Sequence, residues 1–531
     1  MIAESSITAA RIAALEPSGV VGGAWAPPPP MIALGGAAGG GPSVVLDFGA
    51  EVFGGLRLDI SRVIGADSCR IRVGLGESVT EAIVGPSVDR EEAVRAGSKL
   101  DLGVTGFRFA RVEVVDPAPG VEMACPWAYG LALDAPRLGS FSCDDARLDR
   151  IWEVGCRTIH LCMQDLIWDG IKRGRKVWAG DLHPASRAIA ATFGPAPIVA
   201  ASLDHIRDRT ATAPGAPDWM NEIPAYSLWW IICQAEWYLY TGDRAYLEAQ
   251  HAYLASLLEV VFEGLAPDGG ERFDGWRYLD WATTRDFDAI HAGYQGLAAR
   301  ALRSARSILD ALGDRALHDR CGAALARVSS YPSPATASKQ ALALLVLGGL
   351  AEPEAINRDA LSRDPAAGLT PFLGHAVLEA RALAGDYIGA LGLIREYWGA
   401  MIDLGASTFW EDFDIDWAAG SGRIDEFVPA GLRDIHAGLG RNAHRGLSLS
   451  LCHAWSAGPT AWLSRHVLGV RPLAPGCRVV QVRPELGDLS RAEGTFPTPL
   501  GSIVVRHRRR PDGSVATEVE APDPIEVIVG G

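Results

Sequence analysis

The strongest constraint on the fold is a helical pattern that recurs from about residue 141 to residue 467. Near its start, Leu148, Ile151 and Ile159 fall on one face at helical spacing. Comparable patterns follow at Tyr226–Tyr240, Tyr246–Phe262, Ala289–Leu312, Ala337–Leu350, Phe372–Ala384, Ile388–Met401 and Leu447–Val467. At roughly 27 residues for a generous helix and its loop, this length holds about twelve helices. The pattern predicts a mainly α fold whose central domain, residues 141–467, is an (α/α)6 barrel.

Segments with alternating apolar residues flank the helical region on both sides. Short runs such as Leu56–Ile60 and Phe107–Val114 predict an N-terminal β-sandwich over residues 43–140. Residues 468–531 return to strand-like runs and predict a small C-terminal β-sandwich. The prolines and the Gly/Ala-rich run before Ser43 predict that residues 1–42 form an irregular N-terminal segment.

The composition excludes several classes of partner. A net charge of −15 and a pI near 5.3 argue against nucleic acid and against an anionic membrane. Nine scattered cysteines without a Cys-x-x-Cys pair, and a start that does not resemble a secretory signal, indicate a cytoplasmic protein with reduced thiols. We expect no cofactor and no catalytic metal, because no cluster of histidines and acids has metal-ligand spacing. A homodimer is an open alternative for the oligomeric state.

The stretch from Trp168 to Pro184 is the best candidate for a site-lining loop. It places two carboxylates, four cations and two indoles within 17 residues directly after a helical pattern. So many polar groups would be costly inside a core, since each buried charge needs a partner or a shifted pKa. We therefore expect this loop to face a ligand.

A second carboxylate stands in a loop between two helical patterns. Glu411 follows Gly405 and is close in sequence to Asp412, Asp414 and Asp416. Crowded acids raise one another's pKa, and a raised pKa suits a general base. Two carboxyl groups on separate loops that face one cavity could act together as an acid and a base.

The chain resembles the α-L-rhamnosidases, family 78 of the glycoside hydrolases. The resemblance rests on the order of motifs Asp169-Gly-x-x-Arg173-x-Arg175-x-x-Trp178-x-Gly180-Asp181, Asp218-Trp219 with Asn221-Glu222-Ile223-Pro224, Leu279-Asp280-Trp281, Gly405 to Glu411, Ser450 to His453 and Gly458-Pro459. It covers most of the chain. One position departs from the family pattern: Gly174 stands where the family carries its general acid.

The resemblance implies a role for each matched residue. The resemblance makes Glu411 the general base and places Asp169 and Asp181 at the sugar ring. We predict that Glu411, Asp169 and Asp181 are the catalytic residues. The predicted substrate-binding residues are Arg173, Arg175, Trp178, Glu222, Asp280, Trp281, Trp410 and His453. Simpler roles remain open: Asp181 could cap a helix, any one tryptophan could belong to the core, and His453 could be a core histidine. In an extended loop Arg173 and Arg175 would point to the same side, where they could pair with acids or grip a uronate carboxylate.

Three functions are consistent with this sequence. The first is an exo-acting α-L-rhamnosidase that removes terminal α-L-rhamnose from oligosaccharides or glycosides by inversion. The second is a lyase that removes terminal rhamnose from glucuronate by β-elimination, and the third is a sugar-binding relative that has lost activity. In a hydrolase, Asp169, Asp181, Glu222 or water would have to supply the proton. An acid introduced at Gly174 is then expected to raise hydrolysis of unactivated rhamnosides at least about tenfold.

Overall fold

A computed structural model describes the whole chain except residues 16–22, 36–41, 117–118, 212–217, 442–443 and 531. The chain divides into two compact units, each assembled from three separate segments. The first unit contains residues 1–134, 160–175 and 400–453, and the second contains residues 135–159, 176–399 and 454–531.

The N-terminal part of the first unit is an antiparallel sheet of nine strands. Its long central strand, Ser43–Ile64, pairs with Lys99–Val114, so that Val44 lies opposite Val112 and Leu46 opposite Ala110. Their side chains belong to the buried core of this sheet, which explains the alternating sequence pattern. The nine strands are Ile2–Thr8, Arg11–Leu15, Met31–Leu34, Ser43–Ile64, Cys69–Gly76, Val88–Val94, Lys99–Val114, Gly120–Ala124 and Trp127–Leu133.

The prediction of an irregular segment over residues 1–42 is wrong for most of the described residues. Three of the nine strands lie there, and each pairs with a strand of the sheet: Ile2–Thr8 with Trp127–Leu133, Arg11–Leu15 with Ser43–Ile64, and Met31–Leu34 with Gly120–Ala124. These strands are short, and their partners lie far away in the chain, so local sequence carries little sign of them. Most of the Gly/Ala-rich run, residues 36–41, lies outside the described residues.

Helices dominate the chain after residue 145. In the part of the chain that the structure describes, twelve helical segments of nine residues or more lie between residues 146 and 467, counting π-helical turns with the helices they continue. They are Ala146–Cys162, Leu182–Thr192, Ile198–Arg207, Pro224–Thr241, Arg244–Glu263, Phe287–Leu312, Arg315–Ser330, Lys339–Leu347, 353–361, Pro371–Leu383, 387–403 and 458–467. Shorter helices are Val79–Val84, Ile415–Ala418 and Ile435–Gly438, and single 3-10 turns occur at Met220–Glu222, Trp281–Thr283, Gly446–Ser448, Ala454–Ala457 and Pro475–Cys477.

Local sequence sets many of the helix boundaries. The side chains of Asp243, Asp286 and Asp314 each accept a hydrogen bond from the backbone N–H three residues later, at the start of a helix. Gly242 and Gly313 end helices in the left-handed conformation that glycine adopts without strain. None of the described helices combines the length and apolar character that crossing a bilayer requires.

One predicted helix is only half correct. The pattern over Leu447–Val467 predicts one helix, but only its second half is helical. Residues 449–453 form an irregular segment that pairs with Gly170 of the signature loop, the stretch Trp168–Pro184. The Ser450 hydroxyl bonds to the Cys452 carbonyl and to the Glu77 carboxyl group instead of facing solvent on a helix.

Two small sheets complete the second unit. One contains Ser140–Cys143, Arg491–Thr498, Gly501–Arg509 and Val515–Glu520, and the other contains Val470–Pro472, Val479–Val482 and Glu526–Val529. In addition, Ser421–Gly422 and Arg433–Asp434 form a two-residue parallel pair in the first unit. The predicted return to strands after the helical region is confirmed.

Candidate active site

The signature loop lies beside the segment that ends at His453. Gly170 forms an isolated bridge with His453, and a Cβ atom at Gly170 would lie 2.9 Å from the Cys452 carbonyl oxygen. The His453 N–H donates to the Phe409 carbonyl at 2.9 Å. Three segments that are distant in sequence therefore meet here within the first unit.

Glu411 is buried at this junction and is held as a carboxylate. Its Oε2 accepts hydrogen bonds from the Arg173 guanidinium at 2.5 Å and from the Ser450 N–H at 3.1 Å, and its own N–H donates to the Ser450 carbonyl at 3.0 Å. Burial raises the pKa of Glu411, but His453, Arg173 and the Ser450 N–H outweigh it and bring this pKa below its ordinary value. Glu411 is therefore ionised at neutral pH and able to accept a proton.

The expectation that neighbouring acids raise the pKa of Glu411 is wrong. Arg441 lies 2.8 Å from the Asp414 carboxylate and 3.7 Å from that of Asp412, and Asp416 is exposed. This arginine is 30 residues away in sequence, and it offsets the charge that the local run of acids would otherwise place near Glu411.

The loop between Arg173 and Arg175 is turned and not extended. Gly174 has φ +74° and Arg175 has φ +53°, both in the left-handed region, and the Arg175 N–H donates to the Arg173 carbonyl at 2.9 Å. The two arginines consequently have different partners. Arg173 bonds to Glu411 and to the Ser448 carbonyl, whereas Arg175 bonds to the carbonyls of Ile171 and Val104.

Arg175 also stacks on an aromatic ring. Its guanidinium carbon lies 5.1 Å from the centre of the Phe53 ring, and its Nη2 donates to the Val104 carbonyl at 2.8 Å. These contacts give Arg175 a role in joining the loop to the β sheet. The predicted alternation that would place both arginines on one side is therefore wrong.

Asp169 occupies the space beside Gly174. A Cβ atom built on Gly174 would lie 2.4 Å from Oδ2 of Asp169 and 3.1 Å from its Cγ. Ordinary van der Waals contact begins at 3.4 Å. The carboxyl group nearest to the vacant acid position is thus that of Asp169, which is itself 9% exposed.

His453 and Trp410 are both buried. The pKa of His453 is lowered to about 4, chiefly by burial, so its ring is neutral at pH 7. Its expected place within a helix is wrong, because it lies in the irregular segment paired with Gly170. Trp410 has no exposed surface and packs edge-on against Phe413 at 5.6 Å, so a sugar could reach its indole only if neighbouring side chains moved.

A buried charge cluster lies behind the junction and was missed from the sequence. The Lys172 ammonium lies 3.1 Å from Glu77 and 2.9 Å from Glu81. Glu77 in turn accepts hydrogen bonds from the Ser450 hydroxyl at 3.2 Å and from the Leu451 N–H at 2.6 Å. Because Ser450 also donates to Glu411, this cluster helps to position the candidate base. Glu77 is almost 100 residues from Lys172, and nothing in the sequence links the two.

The same cluster contains a trio with the geometry of a cation site. Single ligand atoms of Glu77, Glu81 and His436 lie within 4.8 Å of one another. The Lys172 ammonium already supplies the positive charge there. Although burial lowers the pKa of Lys172, Glu77 and Glu81 raise it above its ordinary value, so Lys172 remains charged.

In the second unit, Trp178 and Asp181 lie beside Tyr226. The Tyr226 hydroxyl donates to Oδ1 of Asp181 at 3.2 Å, and its ring packs edge-on against Trp178 at 6.0 Å. Asp181 precedes helix Leu182–Thr192 but makes no side-chain capping bond, so the capping alternative is wrong. A Cβ atom at Gly180 would lie 2.3 Å from the Tyr226 ring, which explains the glycine in this motif.

Glu222 and Asp280 differ sharply in exposure. Glu222 is exposed in a left-handed conformation with φ +65°. The Asp280 side chain is fully buried and accepts a short hydrogen bond from the Thr370 hydroxyl. A buried carboxylate of this kind is more suited to holding loops together than to direct sugar contact. Trp281 remains half-buried and packs edge-on against Tyr278 at 4.9 Å.

Asn221 was not predicted as a site residue and links two motifs. Its Oδ1 accepts a hydrogen bond from the Ala179 N–H at 3.0 Å, and its Nδ2 donates to the Val177 carbonyl at 3.1 Å. Both bonds reach the second half of the signature loop. Its place directly before Glu222 in a matched motif was the available signal.

Two parts of the chain match models of known protein families. Residues 136–301 match the model of the bacterial α-L-rhamnosidase six-hairpin glycosidase domain, and residues 469–529 match that of the bacterial α-L-rhamnosidase C-terminal domain. These two parts of the chain are therefore similar to domains of the bacterial α-L-rhamnosidases. No curated protein matches it.

Solved rhamnosidase structures resemble the chain over most of its length. A family 78 rhamnosidase of Bacillus sp. GL1 is 25% identical with a TM-score of 0.78, and the match covers 95% of this chain and 54% of that protein. A Klebsiella oxytoca rhamnosidase with rhamnose bound is 22% identical with a TM-score of 0.70, and the match covers 88% of this chain and 96% of that protein. A Streptomyces avermitilis α-L-rhamnosidase complexed with L-rhamnose is 17% identical with a TM-score of 0.73, and the match covers 99% of this chain and 50% of that protein. The chain thus spans about half the length of the Bacillus and Streptomyces proteins, and the two matches of lower identity support the fold alone.

Proposed function

We propose that this chain is an exo-acting α-L-rhamnosidase that removes terminal α-L-rhamnose from oligosaccharides or glycosides by inversion. The observation that carries the proposal is the state of Glu411: a buried carboxylate that Arg173 and the Ser450 N–H hold ionised, at the position where the resemblance expects a general base. The six-hairpin match at residues 136–301 and the twelve helical segments support an (α/α)6 barrel for the predicted central domain.

Glu411 acts in this proposal by taking a proton from water. As the proton leaves, the water oxygen attacks the anomeric carbon of rhamnose from the face opposite the leaving group. Arg173 keeps Glu411 charged in the resting state, and the Ser450 N–H fixes the orientation of Oε2.

Asp169 is our candidate for the proton donor. Its Oδ2 lies where a side chain at residue 174 would begin, so it is the nearest substitute for the acid that Gly174 lacks. By the family resemblance, Asp181, Trp178, Glu222, Trp281 and His453 remain candidates for binding the sugar, while Asp280 and Trp410 are buried and are better suited to support.

The lyase alternative is not favoured. β-Elimination from a uronate needs a cation to neutralise the substrate carboxylate, and the two arginines expected to do this are engaged. Arg173 is bonded to Glu411, and Arg175 is bonded to three backbone carbonyls and stacked on Phe53.

Hydrolysis of an aryl α-L-rhamnoside, with the anomeric product followed by NMR from the first turnover, tests the proposal. We expect β-L-rhamnose as the first product and a fall in kcat of at least about 10²-fold in Glu411→Gln. Asp416→Asn, an exposed acid of the same segment, is the matched control and should retain full activity. Formation of an unsaturated uronate from a rhamnosyl glucuronate would favour the lyase, and tight rhamnose binding without turnover would favour the binding protein.

We also propose a cytoplasmic location and a homodimeric state. All nine cysteines are free thiols and eight are buried, in keeping with a reducing compartment. Cell fractionation and light scattering would test the cytoplasmic location and the homodimer.

A further inference from the structure

A cavity lies in the second unit, at the opposite end of two helices from the candidate sugar-binding residues. It has a volume of about 170 Å³ and is lined by residues at the C-terminal ends of helices Leu182–Thr192 and Pro224–Thr241. Tyr226, which bonds to Asp181, lies near the start of the second helix, and Tyr240 lines the cavity near its end. At 1.5 Å per residue, these two tyrosines are separated by roughly 20 Å along the helix axis.

Two half-buried carboxylates at the cavity, those of Glu236 and Glu379, are fully engaged. Glu236 accepts from Arg300 at 2.8 Å and from Arg187 at 2.9 Å, and Glu379 accepts from Arg187 at 2.9 Å and is paired with His466 at 3.0 Å. These interactions hold the pKa of each carboxyl group well below its ordinary value, although burial opposes this. The four carboxylate oxygens therefore each have a partner already.

In the part of the chain that the structure describes, Arg465 is the one guanidinium of the cavity wall with hydrogen-bond donors that have no acceptor. Within the described residues its side chain makes no hydrogen bond or ion pair, and its Nε is buried without an acceptor. Burial lowers the pKa of Arg465 because no adjacent anion fully compensates its charge. With the buried histidines neutral, three guanidinium groups, those of Arg187, Arg300 and Arg465, face only two carboxylates. The balance around the cavity is positive.

The rest of the wall is largely apolar. Trp237, Leu239, Tyr240, Val470 and Phe496 line it, and the Tyr240 hydroxyl is already bonded to the carbonyls of Ala190 and Pro497. A ligand must therefore combine one anionic group with an apolar body. A guanidinium fork bonds carboxylate and phosphate groups alike, but the single uncompensated positive charge here balances a monocarboxylate better than a phosphate, which carries a charge of about −1.5 to −2 at pH 7.

We infer that this cavity is a second binding site that takes a small monocarboxylate, with the carboxylate on Arg465 and the apolar body between Trp237 and Phe496. The size is suitable, since a cavity of about 150 Å³ can hold one benzene molecule. The inference does not depend on whether the chain hydrolyses rhamnosides.

Calorimetric titration at constant ionic strength tests the site with benzoate, benzyl alcohol and inorganic phosphate as probes. We expect benzoate to bind wild-type protein at least about tenfold more tightly than benzyl alcohol, because only the carboxylate can form charge-assisted hydrogen bonds. Arg465→Gln should lose this preference. Arg306→Gln is the matched control, because the Arg306 Nε is also buried without a partner among the described residues but lies outside the cavity.

A crystal of the wild-type protein soaked with 4-iodobenzoate gives a readout that does not depend on any variant folding. We expect the anomalous iodine signal between Trp237 and Phe496. Equal binding of benzoate by wild type and Arg465→Gln, no binding by wild type, or an iodine signal elsewhere overturns the inference. Phosphate binding as tight as that of benzoate overturns the assignment to a carboxylate.

Discussion

Replacing Gly174 tests whether Asp169 stands in the place of the missing acid. The sequence alone predicts that an acid at residue 174 raises hydrolysis of unactivated rhamnosides. The structure reverses that prediction, because Gly174 has φ +74° and a Cβ atom there would lie 2.4 Å from Oδ2 of Asp169. We therefore expect a loss of activity in both Gly174→Ala and Gly174→Asp.

Two contributions set the size of this loss. A side chain in the left-handed region lowers the free energy of unfolding by about 1–2 kcal/mol. Relief of the contact requires the Asp169 carboxylate to move by about 1 Å, from 2.4 Å to the 3.4 Å of ordinary contact. Misplacement of a catalytic group by about 1 Å can lower the rate roughly 10²-fold. The stability change is thus small, whereas the change in kcat is large.

The assay compares kcat on an unactivated disaccharide and on an activated aryl rhamnoside. We expect about a 10²-fold decrease on the disaccharide and a smaller decrease on the aryl substrate, because only the poor leaving group needs the proton. Gly313→Ala is the control for backbone strain, since Gly313 has φ +80° and no atom of the described residues lies within 4 Å of its Cβ position. It should lose stability and retain kcat.

A tenfold gain in Gly174→Asp without loss of stability would refute this reasoning, because it would mean that the vacant position can accept an acid while Asp169 stays in place. Equal losses on both substrates would show that Asp169 acts in some way other than as proton donor.

Three further predictions concern charged or titratable residues. Arg173→Met should shift the acidic limb of the kcat/KM pH profile to higher pH, because Arg173 holds the pKa of Glu411 down. Arg175→Met should leave that limb and KM unchanged but should lower the melting temperature. Lys172→Met should lower the free energy of unfolding, measured in urea, by about 3–5 kcal/mol at pH 8, because it leaves the buried carboxylates of Glu77 and Glu81 without their cation. The loss should be smaller at pH 5, where these carboxylates can be protonated. Equal losses at both pH values would contradict this explanation. Burial lowers the pKa of His507 to about 4, so the unfolded chain takes up a proton at higher pH than the folded protein does. The free energy of unfolding should therefore fall as the pH drops from 6.5 towards 4, and His507→Gln should reduce that fall by about 3 kcal/mol. An unchanged dependence of the unfolding free energy on pH would argue against a buried neutral ring.

The sequence by itself determined the order of strands, then helices, then strands from residue 43 onwards, and it singled out Glu411 as the candidate base. Helix starts at Asp243, Asp286 and Asp314 and helix ends at Gly242 and Gly313 depend on contacts within a few residues, so local sequence carries them. The motif around Glu411 was likewise visible as an acidic loop between helical patterns.

Only the tertiary structure decided what each charged group of the site does. Local sequence surrounds Glu411 with acids, yet its pKa is raised by burial and lowered by His453, Arg173 and the Ser450 N–H, which come from other segments of the chain. The turn at Gly174 separates two arginines that alternation would have placed together, and the three N-terminal strands exist only because distant strands offer them partners. Electrostatic interactions and strand pairing depend on distance in space, and a sequence records only distance along the chain.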